Sequence, residues 1–377
     1  MTEKSLDQPE SSFRRKDRLQ IVAVVLAIKV VLFLFAGQAY QALEDKKLAA
    51  FYDWLRIWNR WDSLNYQRLA EFGYSMNTEL KPSMVFYPLY PWLIRSLTFL
   101  TNDYLVSALI ISTVASAAAA VIFYNLVSLD YSRQTALRSV WFFLIFPTSY
   151  FLHIGYTESI FMTLALGCIY AARTNQWMLA GIIGALACLT RANGLILVVV
   201  LLVEIAHQYW TTRRFQFSWL WIAVVPLGFA VYLAIIANAA GDPFAFVQIR
   251  KEFFYISSAP PWSGVLAAIG QMERSPAQAE MLGIQEFIFI VLGFVCAVVS
   301  WIKLRPIYSV WITCSWLLVV SVTFIASVPR YTLTMFPVFI LFAMLAKNRF
   351  WLAAITIWSI IYLGLFSSLF AWGRWAF

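Results

Sequence analysis

The chain has 377 residues, of which 62% are hydrophobic and 12% charged, with a formal net charge of +9. A soluble domain carries about 25% charged residues, so a water-facing globule is excluded and lipid is the expected solvent. Apolar runs of about 18 to 25 residues recur from end to end, the length that crosses a bilayer core. They are too long and too uniformly apolar for barrel strands, which alternate. Helices satisfy their own backbone polar groups in lipid, so the fold class is an all-α polytopic membrane protein. Juxtamembrane lysine and arginine on anionic lipid account for the positive charge, and nothing points to nucleic acid. Cys168, Cys188, Cys296 and Cys314 fall inside apolar runs and read as small core residues. No HExxH or CxxC pattern occurs, so neither zinc chemistry nor another cofactor is expected.

In chain order, residues 1–18 read as a disordered cytoplasmic tail ending in Arg14, Arg15, Lys16 and Arg18. The apolar run that follows is too long for a signal peptide and reads as a retained first span. Spans are predicted at 19–40, 104–128, 139–154, 158–172, 177–190, 194–210, 218–238, 285–302, 309–327, 332–346 and 350–372. These make about eleven transmembrane helices in one domain over 19–377. With the N-terminus inside, the short inner loops hold Arg133 and Arg138, Arg173, Arg213 and Arg214, Lys303 and Arg305, and Lys347 and Arg349. That is the positive-inside pattern. The outer side has two long segments, about 41–103 and 239–284, and short turns with the single arginines Arg191 and Arg330. Residues 84–101 contain Pro88, Pro91 and Arg95 and read as interfacial or re-entrant; as a span they would turn every later basic loop outward. Lys29 lies midway along the first span and is expected to face the bundle interior or a polar cavity.

The outer side carries the chemistry. From Asp53 to Tyr74, the residues Trp54, Trp58, Trp61, Leu64, Leu69 and Phe72 recur at helical spacing with arginines between them, predicting one amphipathic interfacial helix. Asp62 sits at the edge of its apolar stripe. It is either paired with Arg60 or Arg68 on a solvated face, or a carboxylate at the lipid–water boundary placed to act as general base. The turn HIGYTES brings His153 and Glu158, LTRANG brings Arg191 and Asn193, and SVPRY brings Arg330 and Tyr331. A charge within a span costs about 2.5–3.5 kcal/mol near the centre, although one such arginine can snorkel to the interface. Glu158 is either a second carboxylate in the site or an anchor for an arginine. Together these residues offer carboxylates for proton work and arginines for a phosphate. In the second long segment, a Gly241-Asp242-Pro243 turn precedes Gln248, Arg250 and Lys251 on an aromatic-rich stretch. That stretch is either another interfacial helix or a wall near a lipid phosphate or sugar.

RWDSLNYQRLAEFGY, FYPLYP, HIGYTES, AGIIGALACLTRANG, GDPFAFVQ and SVPRYTLTMFPVF resemble, in that order, the motifs of the PIG-V family of mannosyltransferases. The likeness runs from about Arg60 to Phe339 and implies the GT-C class of polytopic glycosyltransferases, with interfacial helices in the first long outer loop. It implies a catalytic acid at Asp62 and a polyprenyl-phosphate sugar donor, with a glycan, lipid or protein as acceptor. The short chain and compact loops resemble bacterial members, which implies the plasma membrane with the site facing outward (the lumenal face of the endoplasmic reticulum if eukaryotic). The expected site has Asp62 and Glu158 as catalytic carboxylates. Arg330, Arg191, Tyr331, Asn193, His153, Arg60, Tyr66, Gln248 and Arg250 are the expected substrate contacts. With no DxD pair in the sequence, no metal is expected. The rival expectations are a lipid-linked sugar flippase, which calls for charges at mid-membrane and broken spans, and a non-catalytic subunit of a glycosylation complex.

Overall fold

The computed structural model describes residues 7–274, 276 and 279–377. Its architecture is helical throughout. The first helix, α1 (Asp7–Glu44), starts well before the predicted span. The part of the predicted tail from Asp7 onward is helical; residues 1–6 lie outside the described residues. Asp17 explains how this end is held: its carboxylate accepts from Arg133 at 2.6 Å and from Tyr124 at 2.6 Å.

Two short helices follow, α2 (Phe51–Arg56) and α3 (Asp62–Phe72). The single helix predicted over 53–74 is thus broken at residues 57–61. The cause lies in Trp58, which is fully buried and stacks on Phe33 of α1 and on Phe370. Drawing that indole into the bundle interrupts the surface helix and leaves Asp62 at the start of a new one. Trp61 has φ 44° at the break, a conformation that costs about 1–3 kcal/mol for a non-glycine residue. A helical turn at Lys81–Val85 leads to α4 (Leu89–Thr101), which packs on α3 and α5 (Tyr104–Val127). Asp103 caps α5 by accepting from the Val106 amide at 2.7 Å. At 13 residues α4 is short for a span.

The bundle continues with α6 (Arg133–Ile145), α7 (Glu158–Arg173), α8 (Trp177–Cys188), α9 (Ile196–Thr212) and α10 (Leu227–Ala240). The second long segment folds as α11 (Ala245–Phe254) and α12 (Pro261–Gln271). Then come α13 (Gln285–Lys303), α14 (Pro306–Val320), α15 (Val328–Thr334), α16 (Pro337–Leu345) and α17 (Arg349–Trp372). Among the described residues, six helices are long and apolar enough to cross a membrane, or seven if α15 and α16 form one broken span. The other predicted spans correspond to shorter helices such as α8 and α14. The axes of α15 and α16 differ by 83°. Pro337 lacks the amide that would continue a helix, and this break was not anticipated.

Close packing uses small residues, as is usual where lipid supplies no hydrophobic drive between helices. Gly228 of α10 leaves no room for a Cβ against the Ala185 carbonyl of α8, and Gly181 none against the Trp221 carbonyl. Lys29 faces the interior: its ammonium donates to Thr113 and to the Leu109 carbonyl of α5. At the end opposite the long segments, Arg173 pairs with Asp130 at 2.7 Å and Arg305 with Glu204 at 3.1 Å. The basic loops there are tied into the fold by acids.

Candidate active site

Four ionisable residues from four parts of the chain meet at one end of the bundle. Asp62 begins α3 and Glu158 begins α7; Arg191 precedes a helical turn at Ala192–Leu195, and Arg330 lies in α15. Arg330 Nη1 donates to Asp62 Oδ2 at 2.7 Å, and its Nε donates to Glu158 Oε1 at 2.5 Å. Arg191 Nη1 donates to the same Glu158 oxygen at 2.5 Å. Neither Arg60 nor Arg68 is the partner of Asp62; that expected pairing is replaced by Arg330.

Burial separates the roles of the two acids. The Glu158 side chain is 0% exposed, whereas that of Asp62 is 25% exposed. Asp62 lines a cavity of about 380 Å³ together with Arg191 and Arg330, and Glu158 stands behind them outside its lining. Glu158 is placed to hold two arginines and does not line the cavity. Two charges on two sides cancel in this cluster, as a buried ionic group requires.

Aromatic rings pack the arginines from above and below. Arg330 lies 4.6 Å from the Tyr156 ring centre and 4.8 Å from that of Phe151. Arg191 lies 5.4 Å from that of Tyr331. Such contacts hold the guanidinium plane as well as its charge. Tyr66 bonds Thr157 at 3.2 Å and lines the cavity. Burial, and then the nearby Asp62 carboxylate, raise the Tyr66 phenol above its ordinary pKa, so it stays neutral and can donate.

Asn193, Arg250 and Tyr331 also line the cavity. Arg250 extends from α11 and makes no ion pair among the described residues. Three expected contacts do not reach the lining. His153 is fully buried and neither ring nitrogen has a partner. Arg60 is turned to the Ile57 and Ala371 carbonyls, tying the α2–α3 loop to α17. Gln248 is exposed on α11 and is not part of the lining. Trp61, Trp375 and Phe377 line the cavity as well and were missed, since nothing in a lone aromatic near residue 375 signals a partner near residue 61. Among the described residues no group of three metal-ligating side chains occurs.

Comparison with known proteins bears on this arrangement. GPI alpha-1,6-mannosyltransferase 2 of Mus musculus is 28% identical over 216 residues, covering 54% of this chain and 42% of that protein. GPI mannosyltransferase 2 of Yarrowia lipolytica is 30% identical over 101 residues, 26% of this chain and 28% of that protein. Residues 81–237 match the family described as dolichyl-phosphate-mannose-protein mannosyltransferase. Over these stretches the chain is similar to GPI mannosyltransferases. The matched stretch spans under half the length of these curated relatives.

Two solved structures share the fold of this chain. ArnT of Cupriavidus metallidurans, solved with undecaprenyl phosphate, superposes with a TM-score of 0.50 at 13% identity, over 86% of this chain and 59% of that one. The oligosaccharyltransferase AglB of Archaeoglobus fulgidus, solved with an inhibitory peptide and a dolichol-phosphate, gives 0.51 at 12% identity, over 94% and 56%. The fold is shared with ArnT and AglB, and the chain is a multi-pass membrane protein.

Proposed function

We propose that this protein is a GT-C glycosyltransferase that moves a hexose, with mannose the expected sugar, from a polyprenyl-phosphate donor to an acceptor hydroxyl at the outer face of the membrane. The observation that carries the reading is Asp62, a partly exposed carboxylate on a cavity wall, bonded to Arg330 at 2.7 Å. The mannosyltransferase relatives and the lipid phosphates bound to ArnT and AglB support it.

In the proposed reaction the acceptor oxygen attacks the anomeric carbon. A new carbon–oxygen bond forms there as the bond to the donor phosphate oxygen breaks. Asp62 accepts the proton of the attacking hydroxyl, and polyprenyl phosphate leaves as an anion. Arg330 orients Asp62 through one bond while Glu158 holds Arg330 through another. Arg191 and Arg330 face the charge that develops on the leaving phosphate. Arg250, paired with no carboxylate among the described residues, has its charge to offer the donor phosphate on binding. Trp61, Tyr66, Tyr331 and Trp375 offer faces and hydroxyls for the sugar.

The test is incubation of the purified protein with a polyprenyl-phosphate-mannose donor and candidate acceptors. Acceptor-dependent release of polyprenyl phosphate is expected, and Asp62→Asn should lower it by about 10²–10⁴-fold without loss of folded protein. Full activity of Asp62→Asn would remove the base. Donor translocation without cleavage would favour a flippase.

A further inference from the structure

One buried acid is unused by this mechanism. Glu286 lies in the first turn of α13 and is fully buried. It makes no ion pair among the described residues. Its two oxygens instead accept backbone amides: Oε1 from Ser327 at 2.5 Å and Oε2 from Val328 at 2.6 Å. These are the two residues at which α15 starts, and Arg330 follows two positions after Val328.

The start of α15 needs such a hold. Ser327 has φ 71°, in the left-handed region where a non-glycine residue is strained. The 83° bend between α15 and α16 means that α15 is not kept in place by a continuous helix. Residues 327–329 are pinned from three sides: by Glu286, by Thr148, whose hydroxyl donates to the Pro329 carbonyl at 2.8 Å, and by the Phe377 carbonyl, which accepts from the Ser327 hydroxyl at 3.1 Å. Of these three, only Glu286 brings a group with a large cost of burial. That cost is offset only by amides that nothing else in the helix satisfies.

We propose that Glu286 is a positioning residue, which fixes the start of α15 and thereby sets Arg330 against Glu158 and Asp62. This rests on the transferase reading for its kinetic consequence and on geometry alone for its structural one. Glu286 touches neither the cavity nor the acids it serves, so its effect reaches Asp62 through Arg330.

The experiment compares Glu286→Gln with wild type and with Glu71→Gln, an exposed acid on α3. The first readout is the Nε–H resonance of the Arg330 guanidinium in detergent-solubilised, isotope-labelled protein, assigned by its loss in Arg330→Lys. The second is the split between kcat and donor KM. In Glu286→Gln the resonance is expected to move and kcat to fall by roughly 10²-fold, the cost of a displacement near 1 Å. Donor KM should hold, since Arg250 is untouched, and Glu71→Gln should change neither quantity. A folded Glu286→Gln protein with the Arg330 resonance in its wild-type place overturns the proposal, as does a loss expressed in KM alone. Should Glu286→Gln not accumulate, Glu286→Asp is read in the same way, because it keeps the carboxyl group and withdraws it by one methylene. If wild type transfers no sugar, the enzyme reading fails while the resonance still decides the role of Glu286.

Discussion

Arg330 bonds two carboxylates with different jobs, and the consequences of removing each are different. Glu158 has no exposure, and its one bonded oxygen serves both Arg330 and Arg191. Glu158→Gln leaves Arg330 with Asp62 alone and takes from Arg191 its carboxylate partner, so a loss of about 3–5 kcal/mol in stability is expected, read as a lower melting temperature in detergent. Asp62→Asn removes a partly exposed acid and should leave the melting temperature close to wild type while transfer falls by about 10²–10⁴-fold. Arg250 belongs to neither pair. Arg250→Ala should raise donor KM by about tenfold or more, the worth of a charge-assisted bond, and leave kcat near wild type; an unchanged KM would place the phosphate elsewhere. Much of this cluster is legible in the sequence, because a charge at the edge of an apolar run is costly without a purpose. Glu286 carried the same signal inside its own run. His153, Arg60 and Gln248 show its limit: a polar side chain near the right turn can be buried, aimed at a backbone carbonyl or left exposed outside the cavity, and local spacing does not say which.

At the scale of elements, two interruptions build the site. Trp58 pulls the chain inward between α2 and α3 and so makes Asp62 the first residue of a helix. The break before Pro337 frees α15 from α16 and lets Arg330 cross toward α3 and α7. Neither follows from periodicity, which reads each stretch as one regular helix. The apolar packing of α8 against α10 follows more directly from small residues. A methyl at Gly228 would meet the Ala185 carbonyl, a backbone atom that has no rotamer to yield. Gly228→Ala is expected to cost about 1–3 kcal/mol by overpacking, seen as reduced thermal stability; wild-type stability would show that the two helices can part without penalty.

Over the whole molecule, charge is divided between two ends with different tasks. One end holds the cavity and its cations; the other is a staple of acids and arginines between helices. There Asp130 is bonded by Arg173 and Tyr308. Burial pushes the Asp130 carboxyl up, but those bonds and the nearby Arg305 outweigh it and hold the carboxyl below its ordinary value. Its contribution to stability is therefore present above the unfolded-state pKa of about 3.9 and is lost as the pH falls through the lower folded value. Asp130→Asn should melt below wild type at neutral pH, and the gap should close as the solution is acidified below about pH 4. A gap that stays constant with pH would mean that the carboxylate charge contributes nothing.

The sequence by itself determined the solvent, the helical class and the identity of the costly charges. Those properties are local: a bilayer selects for apolar length, and an ion near it stands out one residue at a time. The tertiary structure decided which charges meet, which acid faces the cavity, and where two helices break. Residues 62, 158, 191 and 330 are joined by hydrogen bonds of a few ångströms across long separations in the chain. Bonds so short and directional depend on how helices tilt, bend and pack, and that is a property of the assembled bundle.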